Sequence, residues 1–128
     1  AIYPQKSSVS IDDSIFRDNV ASSQGGAIRT LGGSMQISNS EIVGNQSVYG
    51  GGLNLYDTDT EIKGSAIIFN KNSRSEGDQI HANYSRVTLS ETQIYGEDGL
   101  SCVLARESYV EGGSTIQNNG CQANEQKT

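Results

Sequence analysis

The chain is 128 residues long, with 34% hydrophobic and 6% aromatic residues and no Trp, which suffices for one modest domain but is thin for a conventional globular core. Nine Lys+Arg against fifteen Asp+Glu give a net charge of -6, and no window approaches the ~20 consecutive apolar residues of a membrane span, so neither nucleic-acid binding nor membrane insertion is expected of this segment. Fifteen Gly, 18 Ser and 10 Asn beside one Pro are the composition of many tight turns, not of disorder driven by Pro and charge.

Taken in chain order, the sequence repeats itself. Residues 9–19, VSIDDSIFRDN, align without a gap on residues 35–45, MQISNSEIVGN, so that apolar positions fall on apolar positions and Asn19 falls on Asn45. A third copy runs from Ile62 through Phe69 to Asn72 with two extra residues. The fourth carries Val87, Leu89, Thr92 and Ile94 and has Glu97 where the Asn belongs, and a shorter fifth restores Ile116 and Asn119. Between these copies a second element recurs as Gly25-Gly26-Ala27-Ile28, Gly50-Gly51-Gly52-Leu53, Gly77-Asp78-Gln79-Ile80 and, more loosely, Asp98-Gly99-Leu100.

The pairs Val9/Ile11, Met35/Ile37 and Val87/Leu89 alternate with polar residues at the period of a strand, and no segment holds helical spacing over a helical length. Repeats of this size, built of short strands and punctuated by Gly, Asn and Ser, bury an apolar face only by stacking on one another. The expected fold is all-β without helix: one β-solenoid segment of about five turns of roughly 22–27 residues. The turns are placed at about 7–33, 34–58, 59–84, 85–107 and 108–121. One core stack is assigned to Phe16, Ile42, Phe69, Ile94 and Ile116, a second to Ile11, Ile37, Ile62 and Leu89, and a third to Ile28, Leu53 and Ile80. Neither end contains a cap, so further chain or a partner is expected to stack on the solenoid ends, and the segment is read as part of a longer protein.

Phe16-Arg17-Asp18-Asn19 followed by Gly25-Gly26-Ala27-Ile28 resembles the FxxN and GGAI tetrapeptides of the polymorphic outer membrane protein repeats of extracellular proteins. The likeness spans residues 7 to about 120, with both motifs intact in the first repeat alone. The resemblance implies a right-handed parallel β-helix and an extracellular or cell-surface setting, with no particular ligand, since such folds serve as adhesins, spacers and enzymes alike.

Asn19, Asn45, Asn72 and Asn119 recur where a strand turns a corner, and Asn suits such a place twice over. It tolerates the left-handed backbone, and its amide both donates and accepts, so stacked copies can hydrogen-bond up the column as a structural ladder. The glycine pairs are read as turn residues, since no Lys-Ser/Thr follows them to complete a phosphate-binding loop. His81 is the one His, and two Cys cannot complete a tetrahedral zinc site.

The enzymatic alternative is polysaccharide cleavage by carboxylates on neighbouring turns, for which Asp78, Glu97 and Asp98 are the candidates. A Ca²⁺ ion shared by Asp57 with Asp59, or by Asp78 with Asp98, is the milder version of that idea. Cys102 and Cys121 stand close to one shortened turn apart and are read as a disulfide that pins the last turns, the alternative being two buried thiols. Of two glycosylation sequons, Asn45 belongs to the ladder and leaves no room for a sugar, whereas Asn83 is expected in an accessible loop. Tyr49, Tyr56, Tyr84, Tyr95 and Tyr109 suit an outer surface that meets glycans or proteins. Together these point to a structural or adhesive module of a secreted or cell-surface protein, without enzymatic activity or cofactor.

Overall fold

The computed structural model describes residues 2–22, 25–48, 50–72, 79–95, 100–106, 108–111 and 121–124, with side chains to residue 94, Asn72 excepted, and at Ser108. Among these residues there is no helix, and every strand pairing is parallel. The chain is a parallel β-solenoid.

The first turn contributes β1 (Gln5–Asp12) and β2 (Ile15–Arg17). The second contributes β3 (Ile28–Ser38), β4 (Glu41–Val43) and β5 (Gln46–Ser47), and the third β6 (Leu53–Tyr56), β7 (Asp59–Lys63), β8 (Ala66–Ile68) and β9 (Lys71–Asn72). Then come β10 (Ile80–Asn83), β11 (Arg86–Ser90) and β12 (Gln93–Tyr95), followed by β13 (Leu100–Arg106), β14 (Tyr109–Glu111) and β15 (Cys121–Asn124). One broad sheet carries the order β14-β11-β7-β3-β6-β10-β13-β15 with β1 on β3. A second sheet runs β12-β8-β4-β2, and β5 pairs β9 on the third side, where Val20 bridges Gln46. Five turns were expected; among the described residues three have strand or bridge pairing on every side, and the later ones contribute fewer faces.

Two of the expected core stacks are present. Ile11, Ile37, Ile62 and Leu89 are register partners, as are Ile28, Leu53 and Ile80. The remaining stack is Phe16–Ile42–Ile67–Ile94, so Phe69 does not belong to it. Successive steps are 26, 25 and 27 residues, and the extra length expected before Phe69 is absent there. Phe69 instead occupies a corner with φ 54°, the place of Asp18 (55°) and Gly44 (68°) in the turns before, and the residue is 48% exposed. A residue at a left-handed corner throws its side chain away from the column, which is why Ile67 fills the core. Ile116 lies outside the described residues.

The core is one continuous cluster of aliphatic side chains, with Val9 and Phe16 partly buried against it at the first turn. One column, Val9–Met35–Thr60–Val87, holds a polar group among apolar ones. Thr60 is fully buried, and its Oγ1 is the one buried side-chain polar atom among the described residues that has no hydrogen-bond partner. An unpaired hydroxyl in an apolar column costs on the order of 1 kcal/mol or more. Thr60→Val is therefore expected to stabilise the protein by about 1 kcal/mol in urea unfolding, and a loss of that size would show that the hydroxyl is satisfied.

Candidate functional site

Polar groups meet in two places, inside the corners and on the outer face of the broad sheet. The inner set is a ladder. Asn45 Oδ1 accepts from both the backbone N–H and the amide of Asn19, at 2.9 Å each, and Asn70 Oδ1 accepts from both donors of Asn45 at the same distance. The second amide hydrogens go down a turn, from Asn45 to the Phe16 carbonyl at 3.0 Å and from Asn70 to that of Ile42 at 2.9 Å. Gln79 closes the ladder: its Oε1 accepts from the Asn70 backbone and amide at 3.0 and 2.7 Å, and its Nε2 donates to the Asn70 carbonyl at 2.9 Å.

The expected ladder is thus present at Asn19 and Asn45 and is corrected at the third turn. Asn70 stands there, and Asn72 pairs with Ser47 on β9, off the column. The left-handed backbone belongs to the residue before each ladder Asn, at Asp18, Gly44 and Phe69, so Asn is used here for its amide alone. Asn119 and Glu97 lie outside the described residues. Close packing under the ladder explains the Gly pairs. A Cβ on Gly26 would meet the Gly51 carbonyl oxygen at 2.2 Å, and one on Gly51 would meet that of Lys71 at 2.3 Å.

Sequence reasoning missed two companion ladders of hydroxyls. Ser40 Oγ accepts from the Ser14 N–H and Ser65 Oγ from that of Ser40, both at 3.1 Å, and each hydroxyl donates to a carbonyl two residues back. At another corner Ser85 Oγ accepts from the Thr58 N–H at 3.1 Å and Ser108 Oγ from that of Ser85 at 3.0 Å. The signal was the hydroxyl residue two places ahead of each core position, as in Ser14/Phe16, Ser40/Ile42, Ser65/Ile67 and Thr92/Ile94.

The outer face is built by strand alternation, since the residues between the core positions of β1, β3, β7 and β11 point away from the column. They form two rows across the strands. One is Ser8–Ser34–Asp59–Arg86, with the first two hydroxyls 3.3 Å apart, and the other is Ser10–Gln36–Glu61–Thr88. These rows line a groove of about 380 Å³. Asp59 and Arg86 also line an adjoining recess of about 390 Å³, together with Asp57 and Tyr84. At its margin the Tyr56 and Tyr84 rings meet edge-on, centroids 5.5 Å apart at 66°, and both are about half exposed. No single-residue motif marks this site; it exists only once the turns are stacked.

Other expected site residues fall elsewhere. Asp78 and Asp98 lie outside the described residues. Asp57 and Asp59 line the same recess, but no group of three or more His, Cys, Asp or Glu is placed to hold a metal among the described residues. The backbone sets Cys102 and Cys121 on the paired strands β13 and β15, with Cys121 opposite Leu100 and a register shift between Ser101 and Val103; their side chains are outside the description. Asn45 is fully buried, as a ladder residue must be. Asn83 is not in a loop: it ends β10, half-buried and opposite Tyr56, because that strand continues to the corner at Tyr84. His81 is buried, with Nδ1 3.3 Å from the Asn54 amide. Tyr49 lies outside the described residues, and so do the side chains of Tyr95 and Tyr109. Comparison with known protein families, with curated proteins and with solved structures gives no match.

The ladder register makes a comparison of neighbouring asparagines decisive. Asn70→Ala strips the acceptor from two buried donors and is expected to cost at least ~2 kcal/mol, and more than Asn72→Ala, both read from urea unfolding midpoints. The reverse order would place the ladder at Asn72.

Proposed function

We propose that this chain is a structural and adhesive β-solenoid module of an extracellular or cell-surface protein, without catalytic activity, and that it meets its partners, proteins or glycans, through the grooved outer face. The observation that carries this reading is the division of labour between the two polar sets. The inner ladders use their hydrogen-bonding capacity on neighbouring turns, while the outer rows hold hydroxyl, amide, carboxylate and guanidinium groups in a solvent-filled groove beside two half-exposed tyrosines. Surfaces of mixed polarity with aromatic margins are suited to recognition.

A structural role is supported by the first turn. Asn19 Oδ1 lacks the donor from a preceding turn that Asn45 and Asn70 each receive, and Val9 and Phe16 are only partly buried although their register partners Met35 and Ile42 are fully so. Such an end accepts another solenoid turn, from the same or a neighbouring chain, in the register the ladder sets. The resemblance to polymorphic outer membrane protein repeats at Phe16–Asn19 and Gly25–Ile28 supports the extracellular setting.

One observation favours a second reading, polysaccharide cleavage. Asp59 and Glu61 lie two residues apart on one face of β7, about 6.6 Å along the strand, near the ~6.5–9.5 Å between the carboxyl groups of inverting glycosidases.

The adhesive reading is tested with beads that carry the full chain, applied under flow to a panel of cell surfaces and extracellular-matrix coats. Retention on at least one surface is expected, with a drop of tenfold or more for Glu61→Ala/Arg86→Ala at an unchanged unfolding midpoint. Failure of the native chain to be retained on any surface, or retention indifferent to the groove, would contradict it.

A further inference from the structure

The groove has a direction, and the direction narrows what fits it. It runs across β1, β3, β7 and β11, so its length follows the solenoid axis. Its rows repeat at the strand spacing of about 4.8 Å, close to the length of one pyranose unit in an extended polysaccharide. A chain of sugars laid along the axis therefore meets one strand per sugar. An extended peptide in the same place would present side chains on one face every ~6.6 Å, out of step with the strands.

The chemistry of the rows agrees with this spacing. Sugar hydroxyls both donate and accept. Asp59 and Glu61 offer acceptors to pairs of neighbouring hydroxyls, Arg86 offers a fork of donors, and Gln36 and Ser34 offer both. Tyr84 and Tyr56, half exposed at the edge of the adjoining recess, present aromatic surface to a sugar ring. Charge decides between neutral and acidic polymers. Among the described residues two carboxylates against one guanidinium line the groove, Asp57 adds a third in the recess, and the chain as a whole carries -6, so uronates, sulfated glycans and polyphosphates are repelled.

We infer that the groove binds a neutral, linear polysaccharide along the solenoid axis, one sugar per strand, with Tyr84 and Tyr56 at its margin. The inference rests on the reading of this face as the contact surface, and narrows it to one ligand class.

Calorimetric titration of the full chain with cello-, xylo- and manno-oligosaccharides, from dimer to hexamer, tests it, with oligogalacturonate as the acidic control. At least one neutral series is expected to bind, and more tightly as it lengthens to the tetramer that spans Ser10, Gln36, Glu61 and Thr88. Glu61→Gln and Tyr84→Ala are each expected to weaken binding tenfold or more, while Glu41→Gln, on the β4 face, leaves it unchanged. No binding by any neutral series, a preference for oligogalacturonate, or affinity indifferent to length would overturn the inference. Groove-dependent bead retention in the absence of sugar binding would leave the adhesive reading standing and sink this one alone. Release of shorter sugars from a bound hexamer would uphold the inference and replace the adhesive reading by cleavage.

Discussion

The fold depends on a hydrogen bond repeated from turn to turn, in which a corner asparagine accepts both the backbone N–H and the amide of the asparagine one turn earlier. Asn45 and Asn70 are essentially excluded from water, and each would leave two donors unpaired if it slipped out of register, those held by Asn70 fully buried. An unsatisfied buried donor costs about 1–3 kcal/mol, so a slip of a whole turn would cost several such penalties at once. The aliphatic columns favour burial but tolerate a shift of two residues, since alternation keeps apolar groups inward. The ladder removes that freedom. It also explains the backbone beneath it, because Gly26 and Gly51 approach the neighbouring turn too closely to carry a side chain.

Because the ladder groups are committed to neighbouring turns, turn length is free to vary only where the ladder is not. The steps of 26, 25 and 27 residues between Phe16, Ile42, Ile67 and Ile94 are absorbed between the ladders. Where the third turn passes to the fourth, Gln79 reaches the ladder from within the same turn, nine residues after Asn70, and closes it. The outer face has no such obligations. Its rows are aligned by the inner register without taking part in it, which is how a column of unrelated side chains becomes a continuous groove.

Much of the fold was legible because its period is written in residue types that stacking requires. Ile11, Ile37 and Ile62 repeat as core residues, and Asn19 and Asn45 as ladder residues, in a sequence with almost nothing to suggest a helix. The third turn was misread because Phe69-Asn70-Lys71-Asn72 matches the FxxN pattern by letter, while physics chose Ile67-Ile68-Phe69-Asn70. The spacing from Ser65 to Ile67 and Asn70, the same as from Ser40 to Ile42 and Asn45, held the correct answer. Asn83 was misplaced for a related reason, since the corner falls on Tyr84 with φ 51° and not on the residue before it. The groove was not legible at all. Ser34, Asp59 and Arg86 are ordinary solvent-facing strand residues in sequence, and only the register sets them side by side.

The central claim is therefore a statement about register, and a paired-cysteine measurement reaches it most directly. In the register described, Glu41 and Ala66 are direct partners on the outer face of the second sheet, whereas a ladder through Asn72 would set Glu41 beside Ile68. Partners on adjacent parallel strands lie about 4.8 Å apart, inside the ~4.4–6.8 Å that a disulfide spans between Cα atoms. With Cys102 and Cys121 blocked or replaced, Glu41→Cys/Ala66→Cys is expected to oxidise readily and to leave the unfolding midpoint unchanged or raised, and Glu41→Cys/Ile68→Cys to oxidise poorly or at a loss of stability. The opposite ranking would contradict the ladder, the core stack and the groove together.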